Sequence, residues 1–513
     1  MNIFLNNGLY DSNSGVEHAQ FYRLRALKEA GEPVKLVYSA LLPKLHEHMK
    51  LFDLEEEQVI NLFEWAMADD PVSYLRTGLT GKTIQPYKKD ILKDFTQTNR
   101  TVVEVATGGY TITRRKEKVY NEAKKLYIVS DAQVELSRGD RKLSWSYDRF
   151  LGEKVMTAIH LENFFGSDYY FQTFDELLAF FMGALERAFG PATYFLDRDR
   201  SFDEYLVKRQ KQGAKNKLVS IIHASHRVEK VEGRQIYNQF YQFVLEHAPY
   251  YDKIVVATAR QAADLKKDIA GAFDTKTAER VVSKVPVGFV DENEGTTREI
   301  TAADKVGTAD GANDRNALRL VTASRLHEEK HVDQLVNAVD RLKQEGLSVH
   351  LTIFGRGPQK EDLQKQVADA GLQDAVTFAG VSNDLENDLA EEGAYNAYVS
   401  ASYSEGFGLT YLEALHAGLP VLTYANEYGA KELIDSGKNG YLIDFSTEET
   451  NEARERNVSG MVEAVQKAVE NLPAMCKEAR KSVARYDLKH VSADWKDLLN
   501  DVKKGDNHAN SVD

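Results

Sequence analysis

Ala-Ser-Tyr-Ser-Glu-Gly-Phe-Gly-Leu-Thr-Tyr-Leu-Glu-Ala-Leu, residues 401–415, places two carboxylates, Glu405 and Glu413, around a glycine-bearing turn. The turn follows an apolar run, Tyr395–Ser400, that reads as a strand, and it opens what reads as a helix. Gly406 and Gly408 let a ligand approach the backbone, and the amides of Leu409 and Thr410 stand where a helix N-terminus stabilises a diphosphate. The two acids then have separate work. Glu405, in the loop, can accept hydrogen bonds from sugar hydroxyls, whereas Glu413, inside the helix, can bind a ribose diol as nucleotide-binding acids do. A glutamate pair at this spacing is common by itself, and it takes its meaning from the strand, the glycines and the residues upstream.

Upstream lies Leu318-Arg-Leu-Val-Thr-Ala-Ser-Arg-Leu-His-Glu-Glu-Lys-His, residues 318–331, an apolar strand followed by Arg325 and Lys330 at the start of a helix. Two cations at a strand's carboxyl end can clamp a pyrophosphate and balance the charge that grows on a departing nucleoside diphosphate. Taken singly, either cation reads as a solvated surface residue. Together, S-R-L-x3-K, then Phe354-Gly-Arg-Gly-Pro (354–358), then E-G-F-G-L-x3-E closely resemble the retaining glycosyltransferases of family 4. That resemblance implies an α/β protein of GT-B architecture, with two Rossmann-like domains facing a cleft. It also implies roles: Arg325 and Lys330 on the donor diphosphate, Glu405 on the donor sugar, Glu413 on the ribose, and Gly357 with Gly406, Phe407, Gly408, Leu409 and Thr410 along the donor.

At 513 residues the chain exceeds one hydrophobic core and predicts about three domains. The single cysteine, Cys476, excludes an intramolecular disulfide framework and fits a reducing compartment. The N-terminus has neither a basic nor a long apolar stretch, and no apolar run is long enough to span a bilayer. The expectation is a cytoplasmic bacterial enzyme, at most peripheral to a membrane. A net charge of −14 argues against nucleic acid as a partner.

The first segment reads as a βαβ unit, with strands Ile3–Leu5 and Val34–Tyr38 and a helix from about Gly15 whose apolar stripe is Val16, Ala19, Tyr22, Ala26 and Ala30. Gly15 begins that helix after the polar loop Asn6–Ser14, and the family resemblance implies a glycine there close to the donor phosphates and acceptor, with Ser14 also on the donor; a glycine tolerated by a surface turn is the alternative. From about Leu51 to Gly190 short β-like runs surround glycine-centred turns and predict an antiparallel meander inserted in the first Rossmann-like domain: Thr101–Ala106, Tyr110–Arg115, Leu126–Ser130, Val134–Ser137, Lys142–Tyr147 and Val155–Leu161. A helix over Phe174–Ala188 leads back. The expected domains are therefore 1–50 and 191–310 for the N-terminal Rossmann-like domain, 51–190 for the insertion, 311–475 for the donor-binding domain, and 476–513 for a C-terminal helix crossing back plus a polar tail.

The run Ile221-Ile-His-Ala-Ser-His-Arg puts His223 and His226 at a strand's carboxyl end, where open α/β sheets place ligands. Either can act near neutral pH, and with no further ligand nearby a zinc site is disfavoured. The resemblance favours His223 as a catalytic donor-sugar contact, with His226 second. Asp197-Arg198-Asp199 spells D-x-D, the metal signature of a different glycosyltransferase fold. With Arg325 and Lys330 supplying positive charge, the expectation is no metal and no cofactor beyond a UDP-sugar substrate.

The run Ser14-Gly-Val-Glu-His-Ala-Gln-Phe-Tyr-Arg, the β-rich insertion and His-Ala-Ser-His resemble the GtfA-type glycosyltransferases of the bacterial accessory secretion system. The resemblance implies transfer of N-acetylglucosamine, or glucose, from UDP-N-acetylglucosamine or UDP-glucose to Ser/Thr hydroxyls of a serine-rich surface protein, with a GtfB-like partner subunit docked on the insertion. Relatives with the same insertion glycosylate poly(glycerol or ribitol phosphate) teichoic acid and form homo-oligomers through it. Arg114, Arg115, Lys116, Lys118, Lys124 and Lys125 in the insertion keep that polyphosphate acceptor open, the alternative being a charged meander edge guarded against aggregation. An inactive acceptor-binding subunit is a third reading, against which the intact Arg325, Lys330, Glu405 and Glu413 stand.

Overall fold

The computed structural model describes residues 1–11, 15–79, 81, 83–93, 100–122, 125–150, 153–231, 234–291, 317–382, 384–391 and 393–504. Ser14 and Lys124, both singled out above, lie outside them. The chain forms two compact units. The first comprises Met1–Ile221, Gln239–Ile254 and Asp501–Asp513, and the second Ile222–Asn238 and Val255–Asn500.

In the first unit, β1 (Asn2–Asn6), β2 (Val34–Tyr38), β3 (Val59–Asn61), β11 (Thr193–Leu196) and β12 (Lys217–Ile222) make a parallel sheet in the order β12–β11–β1–β2–β3. Leu5 of β1 pairs with Val37 on one side and Leu196 on the other. Because β3 belongs to this sheet, the Rossmann-like pattern runs past residue 51. Beside it, seven antiparallel strands follow one another in chain order: β4 (Lys88–Lys93), β5 (Arg100–Val105), β6 (Thr111–Asn121), β7 (Leu126–Arg138), β8 (Arg141–Phe150), β9 (Glu153–Phe164) and β10 (Ser167–Thr173). The runs expected at Leu126–Ser130 and Val134–Ser137 are one continuous strand, β7. Helix Phe174–Phe189 follows, its N-terminus capped by Thr173.

The first helix, Gly15–Glu29, turns a different face inward from the one its small apolar residues suggest. Val16, Ala19 and Ala26 are buried, but Gln20, Arg23, Leu24 and Leu27 join them in place of Tyr22 and Ala30. Arg23 is drawn in by Asp197 at the end of β11: the guanidinium lies 2.6 Å from that carboxylate and over the Phe4 ring.

A second buried polar seam joins the two sheets of this unit. His46 lies between Glu56 (2.7 Å) and Glu64 (3.0 Å), and its backbone N–H donates to Thr107 Oγ1 in the turn between β5 and β6. Burial alone would lower the imidazole pKa, but the Glu64 charge and the hydrogen bonds to both carboxylates outweigh it and raise the pKa to about 10.

The second unit contains the hairpin β13 (Arg227–Val231) and β14 (Arg234–Tyr237), then β15 (Lys253–Val256), which straddles the unit boundary, and β16 (Val282–Lys284). A six-stranded parallel sheet follows in the order β19–β18–β17–β20–β21–β22, built from β17 (Leu318–Ala323), β18 (Val349–Phe354), β19 (Val376–Gly380), β20 (Ala397–Ser400), β21 (Val421–Tyr424) and β22 (Gly440–Ile443). Helix Val332–Gln344 packs on it through Val332, Leu335, Val336, Val339 and Leu342, the stripe its 3.6-residue periodicity predicts. Residue 476 lies inside a long helix, Asn451–Ser482, and a further helix runs Leu488–Lys504.

Candidate active site

β17 and β20 are neighbours in register, Val321 opposite Tyr398, so the loops that leave them emerge side by side at the sheet's carboxyl end. Tyr398 ties the two strands together: its buried hydroxyl donates to the Ala323 carbonyl (2.9 Å) and accepts from the Ala323 N–H (3.1 Å). Burial, above all, pushes this phenol up to about 12.

The loop after β17 is braced by the Gly355-Arg356-Gly357 turn. Leu326 N–H donates to the Arg356 carbonyl and the Leu326 carbonyl accepts from Gln359 N–H. A Cβ at Gly357 would run into the Leu326 backbone, so this close approach requires glycine. A short 3-10 turn, Glu328–Lys330, then ends on His331 in the left-handed region, with φ 45°, and the His331 ring stacks on Tyr403 at 3.6 Å between centroids. This turn aims Lys330 at the neighbouring loop. Its ammonium lies 2.7 Å from Glu405 Oε1 and 3.4 Å from Ser402 Oγ. The Arg325 guanidinium takes a different course: it is exposed and paired with Glu329 one turn on.

The loop after β20 carries Glu405, whose carbonyl accepts from Gly429 N–H at 3.1 Å. Gly406 abuts the backbone of His223. An added Cβ would collide with the His223 carbonyl. Phe407 is buried edge-on against Tyr486, and Gly408, at φ 84°, caps helix Leu409–His416. The amides of Leu409 and Thr410 therefore open that helix, and Glu413 stands half-buried in its second turn.

Within the second unit the structure thus brings together Lys330, Glu405, Gly406 and the backbone of half-buried His223. It separates the two histidines. His226 is fully buried, with Nε2 3.2 Å from Asp268, which also holds Arg227 by two hydrogen bonds. His226 is a core residue between the rings of Tyr237 and Tyr428. Gly15 begins its helix in the first unit with open space above its Cα.

The D-x-D acids are both engaged elsewhere. Asp197 accepts from Arg23 and Gln20, each at 2.6 Å, and Asp199 caps helix Arg200–Lys211 while accepting from Ser39. In the insertion, Arg114 is held by Glu104 and Asp131, and Lys116 by the same Asp131. A cavity of about 810 Å³ in the first unit is lined by Asn7 and Ser39 at the carboxyl ends of β1 and β2 and by Trp145, Tyr147 and Thr157 of β8 and β9.

The family resemblance marks the run 426–432 as one that contacts the nucleotide or braces its site, but sequence reasoning missed the hydroxyl layer that Asn426 joins beneath Glu405. The Tyr411 hydroxyl lies 3.0 Å from both Ser400 Oγ and Thr423 Oγ1 and accepts from Asn426, and Asn426 also donates to the Ser402 carbonyl. Small hydroxyl residues at strand ends carry no periodic signal that would have marked them.

Two parallel α/β sheets with an antiparallel sheet in the first unit fit the GT-B fold, and residues 309–472 match the family of glycosyl transferases group 1. The chain is 25% identical over 530 residues to the GtfA subunit of the UDP-N-acetylglucosamine–peptide N-acetylglucosaminyltransferase of Streptococcus gordonii, covering 97% of this chain and 98% of that one. Its fold is shared with the pneumococcal O-GlcNAc transferase GtfA in complex with UDP and GlcNAc (TM-score 0.68, 21% identity, 98% of this chain and 99% of the other). It is shared equally with a chain of a GtfA/B complex (TM-score 0.68, 23% identity, the same coverage). No helix among the described residues is long and apolar enough to cross a membrane.

Proposed function

We propose that this glycosyltransferase moves N-acetylglucosamine from UDP-N-acetylglucosamine, with retention at the anomeric carbon, to Ser/Thr hydroxyls of a serine-rich bacterial surface protein in the cytoplasm. The observation that carries the reading is the Lys330–Glu405 pair at the carboxyl ends of β17 and β20, in a chain that aligns with a GtfA subunit along nearly its whole length. Lys330 and Arg325 take the diphosphate, Arg325 by exchanging Glu329 for phosphate oxygens. Glu405 takes the sugar hydroxyls, Glu413 the ribose, and the Leu409 and Thr410 amides stabilise the leaving group. No side chain is required as nucleophile: the departing phosphate oxygen accepts the acceptor's proton on the same face. The reading includes no metal, and it is supported by the D-x-D acids being tied to Arg23, Gln20, Ser39 and a helix end.

The antiparallel sheet serves a GtfB-like partner and the acceptor, and the cavity between its strands and the ends of β1 and β2 is the acceptor side of the first unit. A polyphosphate acceptor would need a free basic track, and the internal pairing of Arg114 and Lys116 weighs against one. The test is UDP release from UDP-N-acetylglucosamine and UDP-glucose, with a serine-rich peptide or teichoic acid as acceptor, with and without a partner subunit. Turnover on the peptide that rises with the partner is expected. Turnover confined to teichoic acid, or none on either, overturns the proposal.

A further inference from the structure

Glu405 is a loop residue, yet its position is determined from both sides by one buried side chain. Asn426 follows β21 and is 1% exposed. Its amide nitrogen donates to the Ser402 carbonyl at 3.3 Å, three residues before Glu405, and to the Tyr411 hydroxyl at 3.4 Å. Its amide oxygen accepts from Ala430 N–H at 3.0 Å, in the turn whose neighbouring Gly429 N–H donates to the Glu405 carbonyl at 3.1 Å. Ser402 in turn meets Lys330 through its hydroxyl, and its N–H donates to Ser400 Oγ, which meets the Tyr411 hydroxyl.

We propose that Asn426, with Tyr411, is a positioning residue for the transfer reaction, holding Glu405 in the geometry that engages the donor. An amide suits the task because it offers donors and an acceptor in one plane, so it can bond a carbonyl and an amide N–H at the same time. Aspartate is isosteric but would set a carboxylate against the Ser402 carbonyl and lacks the donor. Alanine would leave the buried Ser402 carbonyl and Ala430 N–H without this partner. A displacement of the order of an ångström at the reacting centre is enough to slow an enzyme about 100-fold, and neither Asn426 nor Tyr411 need touch the donor to exert it.

The inference rests on the reading of Glu405 as the donor-sugar contact, and a double-mutant cycle separates the two. Initial rates of UDP release at saturating UDP-N-acetylglucosamine, with peptide acceptor and partner subunit, would be measured for the full chain and for N426A, Y411F, E405Q, N426A/E405Q and Y411F/E405Q. Thermal midpoints would be recorded for each. The expected result is a fall in kcat of about 10- to 100-fold in N426A and a smaller one in Y411F, with KM for the donor little changed. Neither change should slow E405Q further, because the group being positioned is already gone. A full, multiplicative loss in the E405Q background, or wild-type kcat in both single variants, overturns the inference. Wild-type kcat in E405Q overturns instead the reading on which it rests. Should N426A fail to fold, Y411F, which removes one oxygen atom, carries the same comparison.

Discussion

The Lys330 ammonium lies 2.7 Å from the Glu405 carboxylate, joining residues from two loops that sequence alone gives to different parts of the donor. On the proposed reading one group serves diphosphate recognition and the other sugar recognition, so the bond between them would make the two halves of donor binding interdependent. Both side chains stay in reach of water, at 14% and 21% accessible, so removing one does not strand the other as a fully buried charge. Glu405→Ala and Lys330→Ala are each expected to lower kcat about 100-fold or more, with thermal midpoints close to wild type. Near-normal UDP release by Glu405→Ala, or a loss confined to thermal stability, would show that the site has been assigned to the wrong residues.

Gly406→Ala sets a methyl group against the His223 carbonyl, a backbone atom that cannot swing aside. The expected cost is about 1–3 kcal/mol of stability, with activity falling further than stability does because Glu405 is the adjoining residue. Urea unfolding beside UDP-release kinetics checks both, and a wild-type rate would mean that the loop is free to move away from His223.

The His46 seam predicts a pH dependence of stability. Its folded pKa of about 10 lies above the ordinary 6.5, so the folded state binds the proton more tightly than the unfolded chain does. The stabilisation is complete below about pH 6.5 and drains away as pH rises towards 10, with a slope of up to about 1.4 kcal/mol per pH unit for one proton. Melting curves from pH 6 to pH 10 should show the decline, and His46→Gln should flatten it. An unchanged slope in that variant would place the titrating group elsewhere.

Asp197→Ala leaves Arg23 buried without its carboxylate, which typically costs about 3–5 kcal/mol. The variant should melt well below wild type, while chelators leave wild-type turnover untouched. Turnover that collapses with chelator and returns with a divalent cation would reinstate a metal.

Much of the second unit was legible from sequence because its elements are periodic. The five apolar residues of helix Val332–Gln344 repeat at helical spacing, and all five are buried. The first helix was legible as a helix but not in its orientation: Arg23 faces inward because of Asp197, 174 residues away, and no local pattern encodes that partner. In the antiparallel sheet the missed strands, Lys88–Lys93 and Ser167–Thr173, are its two edges. Edge strands are kept polar and irregular, which removes the alternation by which a strand is recognised. Residue type and position alone did not separate His223 from His226, which only the family resemblance ranked; the Asp268 contact and full burial set the second apart.

The packing of Gly406 on the His223 carbonyl also bears on how such a site can diverge. Any side chain at position 406 meets the His223 carbonyl, and Phe407 is packed on Tyr486, so on the proposed reading of Glu405 the two residues that follow it leave little room to reshape a sugar pocket. Ser404, exposed on the other side of Glu405, has no such restriction. A lineage that came to accept a different hexose through this loop would have had to vary upstream of the carboxylate, leaving the glycine and the phenylalanine as they are.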